Sequence, residues 1–186
     1  SGYEAFRHTA AGGMVGLGDL PGGNFQSEAY DISDDGSTVV GFSQSASGVE
    51  ALRHTAAGMV GLGDLSGGNF HSRANGVSGD GSTVVGYGTS ASGNNEAFRH
   101  TAAGGMERLW DVLLAAGVDP AVSGWSVLSY ARGVSLDGNT IVGFGTRNGN
   151  QEAFVAVVAV PEPTSLGLIA IAGTALLARR RRAMSK

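Results

Sequence analysis

Three histidines stand at equivalent places along the chain, His8, His54 and His100, each inside an Arg-His-Thr triplet. Imidazoles are good metal ligands, but a site needs three or four ligands converging at about 2 Å. Equivalent side chains of successive repeats converge only near an axis of closure. A half-exposed strand position copied by duplication is the simpler expectation. Three Asp-Gly corners, Asp34-Asp35-Gly36, Asp80-Gly81 and Asp137-Gly138, offer oxygen ligands. They lack the alternating carboxylates and closing Glu of a calcium loop. An Asp-Gly pair instead supplies the positive φ of a tight hairpin turn.

Other chemistries find less. Gly16-x-Gly18 with Gly22 has the look of a nucleotide-binding glycine motif, but Pro21-Gly22-Gly23-Asn24 follows where that motif needs a helix. Cysteine is absent, which removes disulfides, thiolate metal sites and a Cys nucleophile together. The fourth histidine, His71, lies in no nucleophile motif, and no Ser-His-Asp grouping can be picked out. Two carboxylates can meet from distant strands. The repeated Glu4, Glu50 and Glu96 are expected at strand edges or in pairs with Arg. A catalytic site is normally unique, whereas every notable residue here is copied. No catalytic, cofactor-binding or metal-binding residue is therefore assigned.

The copies define the elements that carry these residues. Glu4-Ala5-Phe6-Arg7-His8-Thr9-Ala10-Ala11-Gly12 returns at Glu50 and at Glu96, and a shortened copy, Glu152-Ala153-Phe154, closes the array. Asp35-Gly36-Ser37-Thr38-Val39-Val40-Gly41-Phe42 returns at Asp80 and Asp137, and Gly16-Leu17-Gly18-Asp19-Leu20 returns at Gly61. Such internal similarity signals a repeat architecture. The 32 glycines show no Gly-X-Y period, so collagen is excluded. Each unit reads as about four short strands: Ser27–Ser33, Thr38–Ser43, Glu50–Thr55 and Met59–Leu65. The expected fold is all-β, with antiparallel four-stranded units resembling propeller blades. Units lie near 3–26, 27–71, 72–117 and 131–159. They amount to about three blades, fewer than a closed ring needs, and are read as an open stack or a piece of a larger propeller. The chain begins inside a unit, which favours the piece. Between the third and fourth copies an insertion, 106–117, has apolar residues at helical spacing and Gly117 as its stop. It is expected to cap the last unit, with Trp110 and Trp125 packing over a blade face.

Charge separates body from tail. Residues 1–160 hold fifteen carboxylates against seven arginines, a balance of −8, while Arg179, Arg180, Arg181, Arg182 and Lys186 lie at the end. An acidic body argues against a nucleic-acid surface. In the tail, 160–186, a Pro-Glu-Pro motif (160–164) leads into an uncharged apolar run expected as a helix over 165–178, then the basic end 179–186. Residues 164–178 as a helix would span about 22 Å, short of a hydrocarbon core of about 30 Å. Snorkelling arginines and local thinning narrow that gap, and basic residues after an apolar run keep that end in the cytoplasm.

Pro161-Glu162-Pro163, the apolar run Leu166–Ala178 and the cluster Arg179–Arg182 resemble the PEP-CTERM sorting signal of Gram-negative bacteria. The resemblance implies an exported protein, held by its C-terminal helix until an exosortase-type sorting protease processes it to the surface or extracellular polysaccharide matrix. The body is similar to the extracellular repeats of the HAF family. Their units carry an x-Ala-Phe strand, a Gly-x-x-x-Asp-Leu-Gly-like strand and a Ser-x-Asp-Gly…Val-Val-Gly hairpin. Here Glu replaces the family's leading His, and Arg-His replaces the apolar pair after Phe, which leaves the binding surface open. These resemblances imply a non-enzymatic, structural or multivalent binding role at the envelope, with polysaccharide or envelope proteins as partners. The alternative is a fragment of a propeller hydrolase or lyase acting on polysaccharide.

Overall fold

A computed structural model describes residues 2–158. The expected helix 165–178, the motif Pro161-Glu162-Pro163 and Arg179–Arg182 lie outside the described residues. Among those described, no helix is long and apolar enough to cross a membrane.

Among the described residues, thirteen strands and one α-helix form. The first hairpin pairs β1 (Phe6–Thr9) with β2 (Gly13–Gly16). Two full units follow. The first comprises β3 (Gly22–Ile32), β4 (Val39–Ser45), β5 (Gly48–Thr55) and β6 (Gly58–Gly61). The second comprises β7 (Gly67–Val77), β8 (Thr83–Ser90), β9 (Asn95–Thr101) and β10 (Gly105–Arg108). Both are antiparallel meanders in chain order. The last unit has three strands, β11 (Trp125–Val134), β12 (Thr140–Arg147) and β13 (Asn150–Val157). The expected four strands per unit are thus present in both full units. A single parallel bridge, Val49 to His71, links them into one eight-stranded sheet. The described strands do not close into a barrel.

The Asp-Gly corners form as the turn chemistry requires, and they also join the units. Asp80 Oδ1 accepts from Ser78 Oγ at 2.6 Å and from the Ser82 amide at 3.0 Å, while the Thr83 amide donates to Ser78 Oγ at 3.0 Å. Asp35 and Asp137 repeat the arrangement. Successive corners are then stitched by backbone: the Asp34 amide donates to Gly79 O at 3.1 Å, and the Gly79 amide to Leu136 O at 3.0 Å. Gly81 (φ 71°) serves both purposes. Its conformation suits glycine, and a Cβ there would lie 2.6 Å from Thr38 Oγ1 of the preceding corner.

The core lies between units. On the second strand of each unit, adjacent apolar residues point to opposite faces. Val40 and Val84 share one cluster with Ala51, Ala74, Val77 and Phe98. Val85 and Ile141 share the next, with Leu128, Ala131 and Phe154. The Val-Val pair therefore serves two interfaces, one residue facing back and one forward. Neither face could be buried within its own sheet, which is why the units stack.

The insertion departs from expectation at its start. Met106–Arg108 belong to β10, and the helix α1 covers only Leu109–Ala115. Cross-strand pairing wins there: Met106 faces His100, and Glu107 faces Arg99, with Arg99 Nη2 donating to Glu107 Oε2 at 3.0 Å. Leu109, Val112 and Leu113 are buried against β11 and β13 residues, with Trp110 and Trp125 at the margin and Trp125 edge-on to Phe154. Gly117 (φ 79°) does end the helix, its amide donating to Leu114 O.

Candidate functional site

The repeated polar residues turn out to be structural fasteners. Glu50 Oε1 accepts from the Gly63 amide at 3.0 Å, and Glu4 Oε1 from the Gly18 amide at 2.7 Å. The carboxylate reaches the turn across the place where a side chain at Gly61 would sit, 2.1 Å from an added Cβ. Ser72 Oγ then accepts from the Ala51 amide at 2.9 Å and donates to Gly63 O at 2.5 Å. One buried serine thus ties the third strand and the glycine turn of one unit to the first strand of the next. Ser27 does the same for Ala5 and Gly18. The glycine motif is a strand-end turn with no helix behind it.

The third copy shows the rule by breaking it. Arg108-Leu109-Trp110 stands where the earlier units have Gly61-Leu62-Gly63. Arg108 pairs with Glu96 at 3.4 Å and with Asp111 at 2.8 Å, and the chain proceeds into α1. The expected Glu–Arg pairing is met at Glu96. Glu4 and Glu50 grip backbone instead.

His8 is exposed, whereas His54 and His100 are half-buried. Both have pKa values below the usual imidazole range, first through burial and then through a cation of the preceding unit, Arg7 beside His54 and Arg53 beside His100. Neutral imidazoles so placed are packing groups. No cluster of three or more His, Asp or Glu among the described residues is placed to hold a metal ion. The Asp-Gly carboxylates are occupied by their own turns, and these hydrogen bonds hold Asp80 down at about 2.

What the repeats do not copy converges on one face. The first strand of each unit carries a β-bulge, and the extra residue is Tyr30 in β3, Asn75 in β7 and Arg132 in β11. A bulge re-aims its side chain out of the ladder. Together with Arg73 and Tyr87 these three residues line a cleft of about 400 Å3. Beneath it runs a row of aromatic and cationic contacts that crosses unit boundaries. Arg73 lies 3.9 Å above the Phe42 ring of the preceding unit and donates from Nη1 to Tyr30 Oη at 2.9 Å. In the next step Tyr130 takes the place of Arg73, with centroids 4.5 Å from Tyr87 and 4.8 Å from Phe144. Asn95 Nδ2 fixes the Tyr130 hydroxyl at 2.6 Å. Arg132 reaches over Tyr130 and Phe144 at 5.2 and 5.3 Å. Burial raises the Tyr30 and Tyr87 pKa values above the ordinary phenol range, so both hydroxyls stay protonated donors.

The cleft escaped sequence reasoning because attention to repeats selects what is constant. The signal lies in a column of the aligned units that changes, Tyr30, Asn75 and Arg132, beside the likewise variable Glu28, Arg73 and Tyr130.

Comparison with known proteins bears on the tail. Residues 159–182 match the PEP-CTERM protein-sorting motif. The motif implies export, processing by an exosortase and sorting to the cell surface. No curated protein matches the chain.

Proposed function

We propose that this is an exported repeat protein of the HAF kind, without catalytic activity, that works at the cell surface or in the extracellular polysaccharide matrix as a structural or multivalent binding element. The observation carrying this reading is the sorting motif at 159–182, which follows closely on β13, the last strand of the repeat stack. In this reading each meander is one propeller-like blade. The apolar segment 165–178 and Arg179–Arg182 hold the precursor at the membrane, and the exosortase acts at Pro161-Glu162-Pro163. Stacked units that present similar surfaces in series suit multivalent contact, in which weak sites reinforce one another through effective concentration. The partners that fit this setting are extracellular polysaccharide and other envelope proteins.

The test is made in a host that carries the sorting machinery. The protein bears an internal epitope, and the motif is either intact or changed by Pro161→Ala, Glu162→Ala and Pro163→Ala. Fractions are then weighed by intact mass. Loss of the Arg cluster and release to the surface or medium, both abolished by the substitutions, is the expected result. An uncut chain retained in the cytoplasm or inner membrane in both forms refutes the sorting role.

A further inference from the structure

We propose that the cleft between the bulges binds carboxylated sugar units of an acidic polysaccharide, with Arg73 and Arg132 as the carboxylate partners and Tyr30 and Tyr87 as flanking surfaces. This rests on the reading of the protein as a polysaccharide-binding surface element and names the class of polysaccharide.

Charge sets the ligand's sign. The body carries fifteen carboxylates against seven arginines, yet the lining residues of the cleft are two arginines, two tyrosines and an asparagine. Glu28 acts on the Tyr30 hydroxyl at the rim, and the Asp31 carboxylate accepts from the Val77 amide. Arginine presents a planar fork matched to a carboxylate and stacks on aromatic faces without losing that fork. Arg73 is held in this way, its guanidinium carbon over the Phe42 ring and one nitrogen on Tyr30. Its buried Nε has no partner among the described residues. Arg132 is exposed and approaches the row of rings from the next unit. A rigid cation and a free one thus border the same space.

The same charge balance decides the kind of anion. A nucleic acid, with one charge about every 1.7 Å of duplex, would meet the acidic body on either side of two cations. A polyuronate places its carboxylates a sugar apart and puts apolar ring faces between them. Those faces suit the tyrosines, since ligand sites combine aromatic walls with a few placed polar groups.

The probe is a short oligouronate titrated calorimetrically against the full chain. Its carboxyl-reduced neutral counterpart, the free uronate monomer and three variants complete the test. Binding of the oligouronate is expected to weaken roughly tenfold in Arg132→Gln, as loss of one charge-assisted bond implies. The neutral oligomer should bind at least as weakly as that variant, and the monomer more weakly than the oligomer. Arg73→Gln should weaken binding too. Because Arg73 packs on Phe42, its thermal midpoint is measured alongside, and the exposed Arg132 carries the decision. Replacing Arg179–Arg182 with Gln should leave affinity unchanged. Unchanged affinity in Arg132→Gln, or loss of binding only in the tail variant, overturns the site. Equal affinity for the neutral oligomer overturns the carboxylate assignment while leaving a glycan-binding surface protein standing. No binding to either oligomer overturns the inference, and the sorting role is judged separately by the fractionation above.

Discussion

Glu50, Gly61 and Gly63 work as one fastener, and that makes their energetics interdependent. The carboxylate satisfies an amide that the turn leaves unpaired, and Gly61 keeps the route to it clear. Gly63 takes φ 80°, which a side chain would strain. Gly61 has no such conformational demand, so its only requirement is space. Glu50→Ala should cost about 1–2 kcal/mol through the lost charge-assisted bond, reduced by partial exposure. Gly61→Ala should cost about 1–3 kcal/mol because the new methyl displaces the carboxylate. In the double variant the carboxylate that the methyl would displace is gone, so the combined loss should fall short of the sum by about 1 kcal/mol or more. Urea unfolding of the four proteins measures it. Simple additivity would mean that the carboxylate does not hold the turn in solution. The replacement of this pair by Arg108 and Trp110 is the natural counterpart: without the glycines, the turn gives way to α1.

Between elements, β1, β5 and β9 lie so that an arginine of one unit sits beside a histidine of the next. His54 and His100 consequently have pKa values below 6.5, by burial first and by Arg7 or Arg53 second. A histidine depressed in the folded state takes up its proton more readily when unfolded. Stability is then complete above about pH 7 and falls as pH drops through 6.5 toward the folded pKa. Asp35, Asp80 and Asp137 are lowered carboxylates, so their losses come only below about pH 4 and do not confuse the window. Urea midpoints at pH 7.5 and 5.5 should differ clearly in the wild type and much less in a His54→Gln, His100→Gln double variant. His71, lowered by burial and by Arg73, supplies the remainder. An undiminished difference in the double variant would show that burial and the neighbouring cations do not lower these two imidazoles in solution. This scale also marks what the sequence makes legible. Strands and Asp-Gly corners depend on neighbours a few residues away, and both full units show the expected four strands. Apolar spacing alone puts the start of α1 too early, because at Met106–Arg108 it is blind to the partner strand β9, whose Arg99 and His100 hold those residues in a ladder. The cleft depends on three residues some fifty positions apart, brought together only by the stacking of bulges.

For the whole molecule, stability resides in unit-to-unit interfaces, and one equivalent position samples two states of burial. Val40 and Val85 are fully buried, while their counterpart Val142 on the last unit is 43% exposed. All three occupy the same place in the Val-Gly hairpin strand, so strand propensity and backbone geometry cancel in a comparison. Truncation to Ala removes two methyl groups, worth about 0.8 kcal/mol each on transfer, and leaves a cavity where neighbours cannot close in. Val40→Ala and Val85→Ala should each cost about 2–3 kcal/mol, and Val142→Ala less than about 1 kcal/mol. Chemical denaturation supplies both the midpoint and the slope, and the slope carries a second answer. If the stack unfolds as one cooperative body, all three variants shift the midpoint at constant slope. If units part from one another, as a one-dimensional array permits, the two interior variants should broaden the transition by weakening one junction each. A Val142→Ala loss as large as the interior ones would show that the outer face of the last unit is covered in solution. That face would then be an interface of the same kind as those inside the stack.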